Sequence, residues 1–404
     1  MNCVECHNEI PDIFVICSHC GHATTLDQDQ IISEYFHSGY EYGEILQLLH
    51  SRHNYAISMR TLKRRLHKIG LRRKCGWKKD ITVLFQAEKR IEELLDGPSS
   101  FGGYRSVWHT LQMEGLRVPR LYVADVLRNI DPKGCEARRA HRLRRREYHN
   151  PGPNYAWHTD GYDKLKPFGF SIHGAIDGFS RKVLWLNVTR SNKCPHVVAN
   201  MYIKAVTHFQ GCPIEVVSDL GTENGLLAAA QCFFRDNINS HRYVPSPRNQ
   251  RIESWWSIFS RFRACWWRNF FSDLEFRGIV DFSQTLSKEC LWYCFSCLIQ
   301  NDLDFFKDHW NTHRIRKSRH NVIAGRPDLL YSMPERYGGI SGLLKNVAPH
   351  NISLVLAEIS QPTETEDYQE YFDYATSELG QGVPSCCTEA LDLYKMLMNV
   401  ARDR

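Results

Sequence analysis

Trp157-His-Thr-Asp160 is the first of several short apolar segments whose length predicts strands. Ser171-Ile-His-Gly-Ala-Ile176 and Val183-Leu-Trp-Leu-Asn-Val188 follow, joined by a turn that contains Asp-Gly. A helical stretch at 195–209 precedes a fourth strand, Ile214-Glu-Val-Val-Ser218. A further helix, a short strand and a long amphipathic helix complete the series. Three consecutive strands followed by alternating helices and strands predict a mixed α/β sheet with helices packed against it.

Three acidic residues stand at the ends of these segments. Asp160 follows the first strand, and Asp219 begins an Asp-x-Gly-x-Glu string after the fourth. Glu253 ends an Asn-x-x-x-Glu string that enters the long helix. A single Asp at a strand end is usually a turn cap, but three acids in this order favour a shared site.

Together these motifs resemble the catalytic core of retroviral-type integrases and their transposase relatives, the DDE group with a ribonuclease-H-like fold. Between Asp160 and Asp219 lie 58 residues, and between Asp219 and Glu253 lie 33, slightly fewer than is typical of the family. The resemblance covers roughly residues 154–337. It implies a polynucleotidyl transferase that cleaves DNA strands and transfers them to new partners, as in DNA integration.

The resemblance also implies two Mg²⁺ (or Mn²⁺) ions as cofactors. Such a pair, roughly 3.5–4 Å apart, stabilises both the attacking and the leaving oxygen of phosphoryl transfer. Magnesium prefers the hard oxygen ligands that Asp and Glu supply. By the family pattern, Asp160 bridges both ions, Asp219 binds one and Glu253 binds the other.

Three other acids compete with this triad. Asp163 lies three residues beyond Asp160, which on a strand would point it to the opposite face. Asp177 sits in the Asp-Gly turn and is expected to be structural. Glu223 belongs to the Asp-x-Gly-x-Glu string, where hydrogen bonding within the loop is favoured over metal ligation.

Two Cys-x-x-Cys pairs occur near the N-terminus. Each pair can present two thiolates, and two pairs supply the four ligands of tetrahedral structural Zn²⁺. The expected ligands are Cys3, Cys6, Cys17 and Cys20. The first pair also matches the c-type haem attachment string, but that interpretation leaves the second pair unexplained.

Apolar residues recur at helical spacing in three short pieces between 29 and 71, and Ser58 is placed to cap the third. A basic helix that closes a three-helix unit is typical of major-groove DNA binding. The exposed basic residues would be Arg60, Lys63, Arg64, Arg65 and Lys68. The alternative is a solvated charged face on an ordinary helical bundle.

A second helix-turn-helix-like pattern spans 77–134, with helices predicted at 81–95 and 103–111 and from Pro119 to Ile130. Both units resemble the N-terminal regions of bacterial insertion-sequence transposases, the second more closely. A basic linker follows and is a candidate phosphate-contacting arm. Its arginines are Arg138, Arg139, Arg142, Arg144, Arg145 and Arg146.

The helix that begins near Glu253 combines aromatic residues at helical spacing, expected to be core, with several arginines. Arg251 would flank the metal site, where DNA phosphates must lie.

Composition agrees with a nucleic-acid partner. The 404-residue chain has 51 Lys and Arg against 45 Asp and Glu, and its hydrophobic fraction of 43% excludes a mostly disordered protein. From Ser341 onward there are 4 basic and 10 acidic residues, so this tail has net charge −6 and the remainder +12. Without a signal peptide or membrane span, we expect a soluble intracellular protein, nuclear if its source is a eukaryote.

The sequence therefore predicts a multidomain α/β protein that works as a homo-oligomer on DNA. Its regions are a zinc ribbon-like module (1–26), a helix-turn-helix domain (27–76), a second such domain (77–134), a basic linker (135–153), an integrase-like core with a helical extension (154–338), and an acidic, partly flexible tail (339–404). The alternative function is a catalytically retired, host-retained transposase that acts as a DNA-binding or regulatory protein.

Overall fold

A computed structural model describes residues 28–71, 81–97, 99, 102–137, 150–317, 323–359 and 366–402. The four predicted zinc ligands and the six arginines of the basic linker lie outside these residues. The chain divides into two compact units, Met1–Arg145 with Thr312–Arg314 and Arg146–Asn311 with Ile315–Arg404. In the described part of the chain, no helix is long and apolar enough to cross a membrane.

The described residues of the first unit start with three short helices that pack on one another, α1 (Gln28–His37), α2 (Tyr42–His53) and α3 (Met59–Lys68). Their buried residues come from the predicted apolar positions, as Ile32, Leu48 and Leu66 show. The Ser58 hydroxyl accepts a hydrogen bond from the Thr61 amide at 3.1 Å, which confirms the predicted N-cap.

Four more helices follow in the part of this unit that the structure describes: α4 (Ile81–Asp96), α5 (Tyr104–Met113), α6 (Arg120–Ile130) and the short α7 (Pro132–Ala137). Apolar side chains from the first three form one cluster that includes Ile91, Leu111 and Leu127. The indole of Trp108 donates to the Val118 carbonyl at 2.9 Å, which fixes the chain between α5 and α6.

A mixed five-stranded sheet forms the centre of the second unit, as predicted. Its strands are β1 (Ala156–Tyr162), β2 (Ser171–Asp177), β3 (Val183–Thr189), β5 (Glu215–Ser218) and β6 (His241–Tyr243). They lie in the order β3-β2-β1-β5-β6, with β1, β2 and β3 antiparallel and β1, β5 and β6 parallel. Two short strands, β4 (Gly211–Cys212) and β7 (Lys345–Asn346), pair separately.

Helices cover both faces of this sheet. Trp157 and Val216 belong to a cluster shared with α8 (Pro195–Phe209), α9 (Gly225–Arg235) and α14 (Pro349–Ile359). Tyr162 and Ile172 belong to another cluster, shared with α10 (Gln250–Phe259) and the helices that follow it. Because side chains alternate along a strand, the two clusters lie on opposite faces.

The predicted long amphipathic helix is interrupted. A five-residue π-helical turn, Ser260–Ala264, separates α10 from α11 (Cys265–Phe276), and α12 (Thr285–Thr312) follows. The turn buries Arg263, whose guanidinium pairs with Asp302 at 2.9 Å. Single π-helical turns inside α-helices often occur at functional sites. Here it directs a charged side chain towards its partner on α12.

Side-chain amides from α12 cover the outer edge of strand β3. The Val183 amide donates to Asn311 Oδ1 at 2.8 Å, and Asn311 Nδ2 donates back to the Val183 carbonyl at 3.0 Å. Gln300 accepts from the Val188 amide and donates to the Leu186 carbonyl. These bonds satisfy edge groups that could otherwise pair with another strand.

The C-terminal region contributes helices to the same unit. After α13 (Pro327–Ser332) come α14, α15 (Glu366–Glu378) and α16 (Cys387–Arg402). Phe372 and Leu397 join the cluster built on α12. A hydrogen bond of 2.7 Å between Ser287 and Tyr394 fastens α16 to α12.

Candidate active site

The pairing of β1 with β5 brings two of the predicted acids together. The strands run parallel in the register Ala156↔Glu215 to His158↔Val217. Asp160 and Asp219, the residue just after β5, each lie two residues beyond the last pair, so the alternation of side chains continued past the end of β5 sets both on the same face of the sheet. Parallel strands are about 4.8 Å apart, so the two residues are close neighbours.

Asp160 differs from its prediction in one respect, because it lies within a strand and not after one. Strand β1 continues to Tyr162 through antiparallel pairing with β2, in which Asp160 faces Gly174. Its pairing with β5 stops at His158. Asp160 is therefore held by sheet bonding on one side and lies beside the end of the parallel partner on the other.

Buried hydrogen bonds attach α10, the helix that carries Glu253, to β1. His158 Nδ1 lies 2.7 Å from Asn249 Oδ1, and Asn249 Nδ2 donates to the Thr159 carbonyl at 3.0 Å. Since the amide nitrogen is committed to that carbonyl, the imidazole must be the donor to Oδ1. Asn249 is the N-cap residue of α10, and Glu253 lies one turn further along the same side of the helix.

Each acid of the triad accepts a hydrogen bond from its own neighbour. Asp160 Oδ2 accepts from the indole Nε1 of Trp256 at 3.0 Å. Asp219 Oδ1 accepts from Asn224 Nδ2 at 2.8 Å. Glu253 accepts from the Ser246 hydroxyl. Among the described residues, no three His, Cys, Asp or Glu side chains are arranged as a ligand set for a metal ion. The three carboxylates are instead turned towards separate donors.

The charges of the other two acids act on Asp160. Burial, followed by the charges of Glu253 and Asp219, raises the pKa of Asp160 to about 7. Carboxylates that repel one another in this way are stabilised by a cation, and oxygen ligands suit a hard divalent ion. The chemistry of the donor set therefore fits Mg²⁺ or Mn²⁺, with Asp160, Asp219 and Glu253 as the residues that would hold it.

His158 is uncharged at neutral pH. Burial, opposed by the hydrogen bond to Asn249, lowers its pKa to about 4, and the positive charges of Arg251 and Arg242 contribute. Both arginines are thus near enough to the buried end of the site to act on it. Arg251 was predicted. Arg242, which lies in the middle of β6 and bonds Glu215 at 2.8 and 3.2 Å, was not predicted from the sequence.

The three competing acids have local partners. Asp177 is buried and accepts bonds from the Asn154 amide and from Ser180, which confirms its structural role. Asp163 accepts from Asn192 and pairs with Lys166 at 3.6 Å. The Glu223 carboxylate folds back over Gly221, where an added Cβ would lie 2.0 Å from a carboxylate oxygen. A larger residue at this position would require the Glu223 carboxylate to move.

Four of the five predicted basic residues of α3 are exposed, and the fifth, Arg65, is partly buried. Arg60, Lys63, Arg64 and Lys68 are exposed. Arg65 instead pairs with Asp29 at 3.2 Å and lies over the ring of Tyr55. It helps to hold the first three helices together, which the spacing of basic residues alone could not reveal.

Fold and site define a mixed-sheet domain with one acid on β1, one just after β5 and one in the first turn of α10. Residues 147–326, slightly less than half of the chain, match a family model described as the integrase core domain. This match confirms the resemblance to the catalytic cores of retroviral-type integrases and DDE transposases, a family of polynucleotidyl transferases. A comparison with curated proteins finds no match.

Proposed function

We propose that the chain is an integrase- or transposase-like polynucleotidyl transferase that cleaves DNA strands and joins them to new partners. The observation that carries this proposal is the register of β1 and β5, which makes Asp160 and Asp219 neighbours across 58 intervening residues. The attachment of α10 to β1 by Asn249 supports a position for Glu253 near these two acids.

Each part of the site has a distinct task in this reaction. Asp160, Asp219 and Glu253 would hold divalent cations, which when bound supply positive charge for the phosphoryl group and its attacking and leaving oxygens. Asn224 and Ser246 orient two of the three carboxylates. Attack by water breaks a phosphodiester P–O bond and leaves a 3′-hydroxyl and a 5′-phosphate. Attack by that 3′-hydroxyl on a phosphodiester of another strand forms a new P–O bond while the existing P–O3′ bond breaks, so the attacked strand leaves with its own 3′-hydroxyl.

Basic residues of the chain would bind the DNA backbone. The exposed residues of α3 are suited to phosphate or base contacts from a three-helix unit. The linker arginines 138–146 would add phosphate contacts, and Arg251 would act beside the acids. DNA ends that must be paired for joining favour a homo-oligomer as the working state.

Replacement of Asp160 by Asn tests the catalytic proposal, because the amide keeps the shape of the side chain and removes its charge. The purified full chain is incubated with supercoiled and end-containing DNA in Mg²⁺ or Mn²⁺. We expect the wild type to nick DNA and the variant to lose at least about 10³-fold in rate while keeping its DNA affinity. Asp163→Asn is the matched control, since Asp163 is a nearby acid with separate partners.

Two results would reject the proposal. Nicking by Asp160→Asn at the wild-type rate would show that the acid is not catalytic. A wild type that binds DNA but shows no metal-dependent cleavage would favour a retired transposase that acts through DNA binding.

A structural Zn²⁺ on Cys3, Cys6, Cys17 and Cys20 is a separate proposal, supported by ligand type and spacing. Metal analysis of the full chain should find one zinc per chain, which Cys17→Ser releases. Zinc content that does not change in this variant would contradict the assignment.

A further inference from the structure

One tryptophan connects two members of the acid triad. Trp256 lies three residues after Glu253, so both project from the same side of α10. Its indole Nε1 donates to Asp160 Oδ2 at 3.0 Å. Helix α10 therefore supplies both a predicted metal ligand and a donor to another ligand on β1.

The sheet makes room for this contact at a glycine. Gly174 on β2 is the register partner of Asp160. A Cβ at this position would lie 3.1 Å from Trp256 Cη2 and 3.3 Å from both Leu186 Cδ1 and the Trp185 carbonyl oxygen. The indole ring thus rests directly on the β2 backbone beside Asp160, which a larger residue would oppose.

The ring is also fixed by its aromatic neighbours. Trp256 is 4% exposed, and its centroid lies 5.2 Å from that of Tyr162 and 5.6 Å from that of Phe259. Tyr162 is two residues beyond Asp160 on the same face of β1. A donor held this firmly restricts the rotation of the carboxylate that it bonds.

We propose that Trp256 is a positioning residue, whose N–H sets the orientation of the Asp160 carboxylate for binding a divalent cation. This inference rests on the proposed function. An ionised carboxylate has about four acceptor positions, so the indole bond leaves room for a cation. Groups that orient metal ligands in this way typically contribute 10- to 100-fold to metal affinity or activity.

The neighbouring Trp255 provides a matched control. It is 2% exposed and stacks on Phe259 with centroids 5.5 Å apart. Its indole Nε1 has no hydrogen-bond partner among the described residues. Replacing either tryptophan by Phe removes a similar buried surface, but only Trp256→Phe removes a donor to the triad.

The experiment measures Mn²⁺ binding to the full chain by isothermal titration calorimetry, with circular dichroism to verify folding. Trp256→Phe should weaken Mn²⁺ binding at least tenfold, and Trp255→Phe should leave it at the wild-type value. Gly174→Ala, which keeps the indole but crowds its ring, should weaken binding in the same direction. This second variant carries the test if Trp256→Phe does not fold.

The outcomes separate this inference from the proposed function. Wild-type Mn²⁺ affinity in folded Trp256→Phe, or equal losses in the Trp255 and Trp256 variants, would overturn the positioning role while leaving the transferase proposal intact. If the wild type itself binds no Mn²⁺, both proposals fail together. Selective loss in Trp256→Phe and Gly174→Ala supports the inference independently of any DNA cleavage.

Discussion

Asn249→Ala should destabilise the second unit by about 2–4 kcal/mol. The amide is 1% exposed and bonds both His158 and the Thr159 carbonyl. Its removal leaves a buried ring N–H and a buried carbonyl without these partners, and each orphaned group costs about 1–3 kcal/mol. We take the lower part of the summed range because the cavity left by the amide can admit water.

Urea unfolding followed by tryptophan fluorescence measures this loss, since eight of the ten tryptophans belong to the second unit. The midpoint should fall without a change in slope. Asn239→Ala, at an exposed position, is the control and should have no effect. A loss below about 0.5 kcal/mol, the size of an ordinary surface substitution, would show that the attachment of α10 to β1 contributes little.

Three further predictions concern other parts of the chain. Asp302→Ala leaves the buried Arg263 without its carboxylate and should cost about 3–5 kcal/mol in urea unfolding; a loss under about 1 kcal/mol would contradict this. Burial lowers the pKa of His173 from 6.5 to about 4, so its contribution of about 3 kcal/mol is fully present above pH 6.5 and is lost as the pH falls to about 4. Urea unfolding of His173→Gln across this pH range should therefore show a smaller loss of stability at low pH than the wild type shows. An equal dependence of stability on pH in the two proteins would refute the prediction. A third variant replaces three exposed residues of α3 by alanine: Lys63, Arg64 and Lys68. It should bind DNA at least about tenfold more weakly in a fluorescence-anisotropy titration, with a shallower dependence on salt, whereas unchanged affinity would make this a solvated face.

The strand order is the part of the fold that short sequence patterns predict least directly. The apolar segments and their acids are visible in the sequence, and the alternation of strands and helices indicates a mixed sheet. That β1 lies between β2 and β5 depends on packing of the whole unit. The sequence also places Asp160 after a strand, because the antiparallel partner that extends β1 to Tyr162 is not a local feature.

The residues that orient the acids were harder to predict than the acids. Helical spacing correctly indicates that Trp256 is core, but periodicity carries no information about the partner of its N–H. The bonds from His158 to Asn249 and from Trp256 to Asp160 join residues 91 and 96 positions apart. Likewise, the sequence of α12 does not show that the amides of Asn311 and Gln300 bond the edge of β3.

The grouping of the acids should oppose folding, and this gives a last prediction. Burial and the charges of Glu253 and Asp219 disfavour ionised Asp160, which raises its pKa from 3.8 to about 7. At pH 8 in the absence of metal, the ionised group therefore destabilises the native state by several kcal/mol.

Asp160→Asn removes the charge, while its carbonyl oxygen can still accept from Trp256. The variant should be more stable than the wild type by about 2 kcal/mol or more in urea unfolding at pH 8 with chelator. Added Mn²⁺ should stabilise the wild type selectively, because binding to the native state is linked to folding. A less stable Asp160→Asn variant, or equal stabilisation of both proteins by Mn²⁺, would show that charge repulsion at this site is not what the cation relieves.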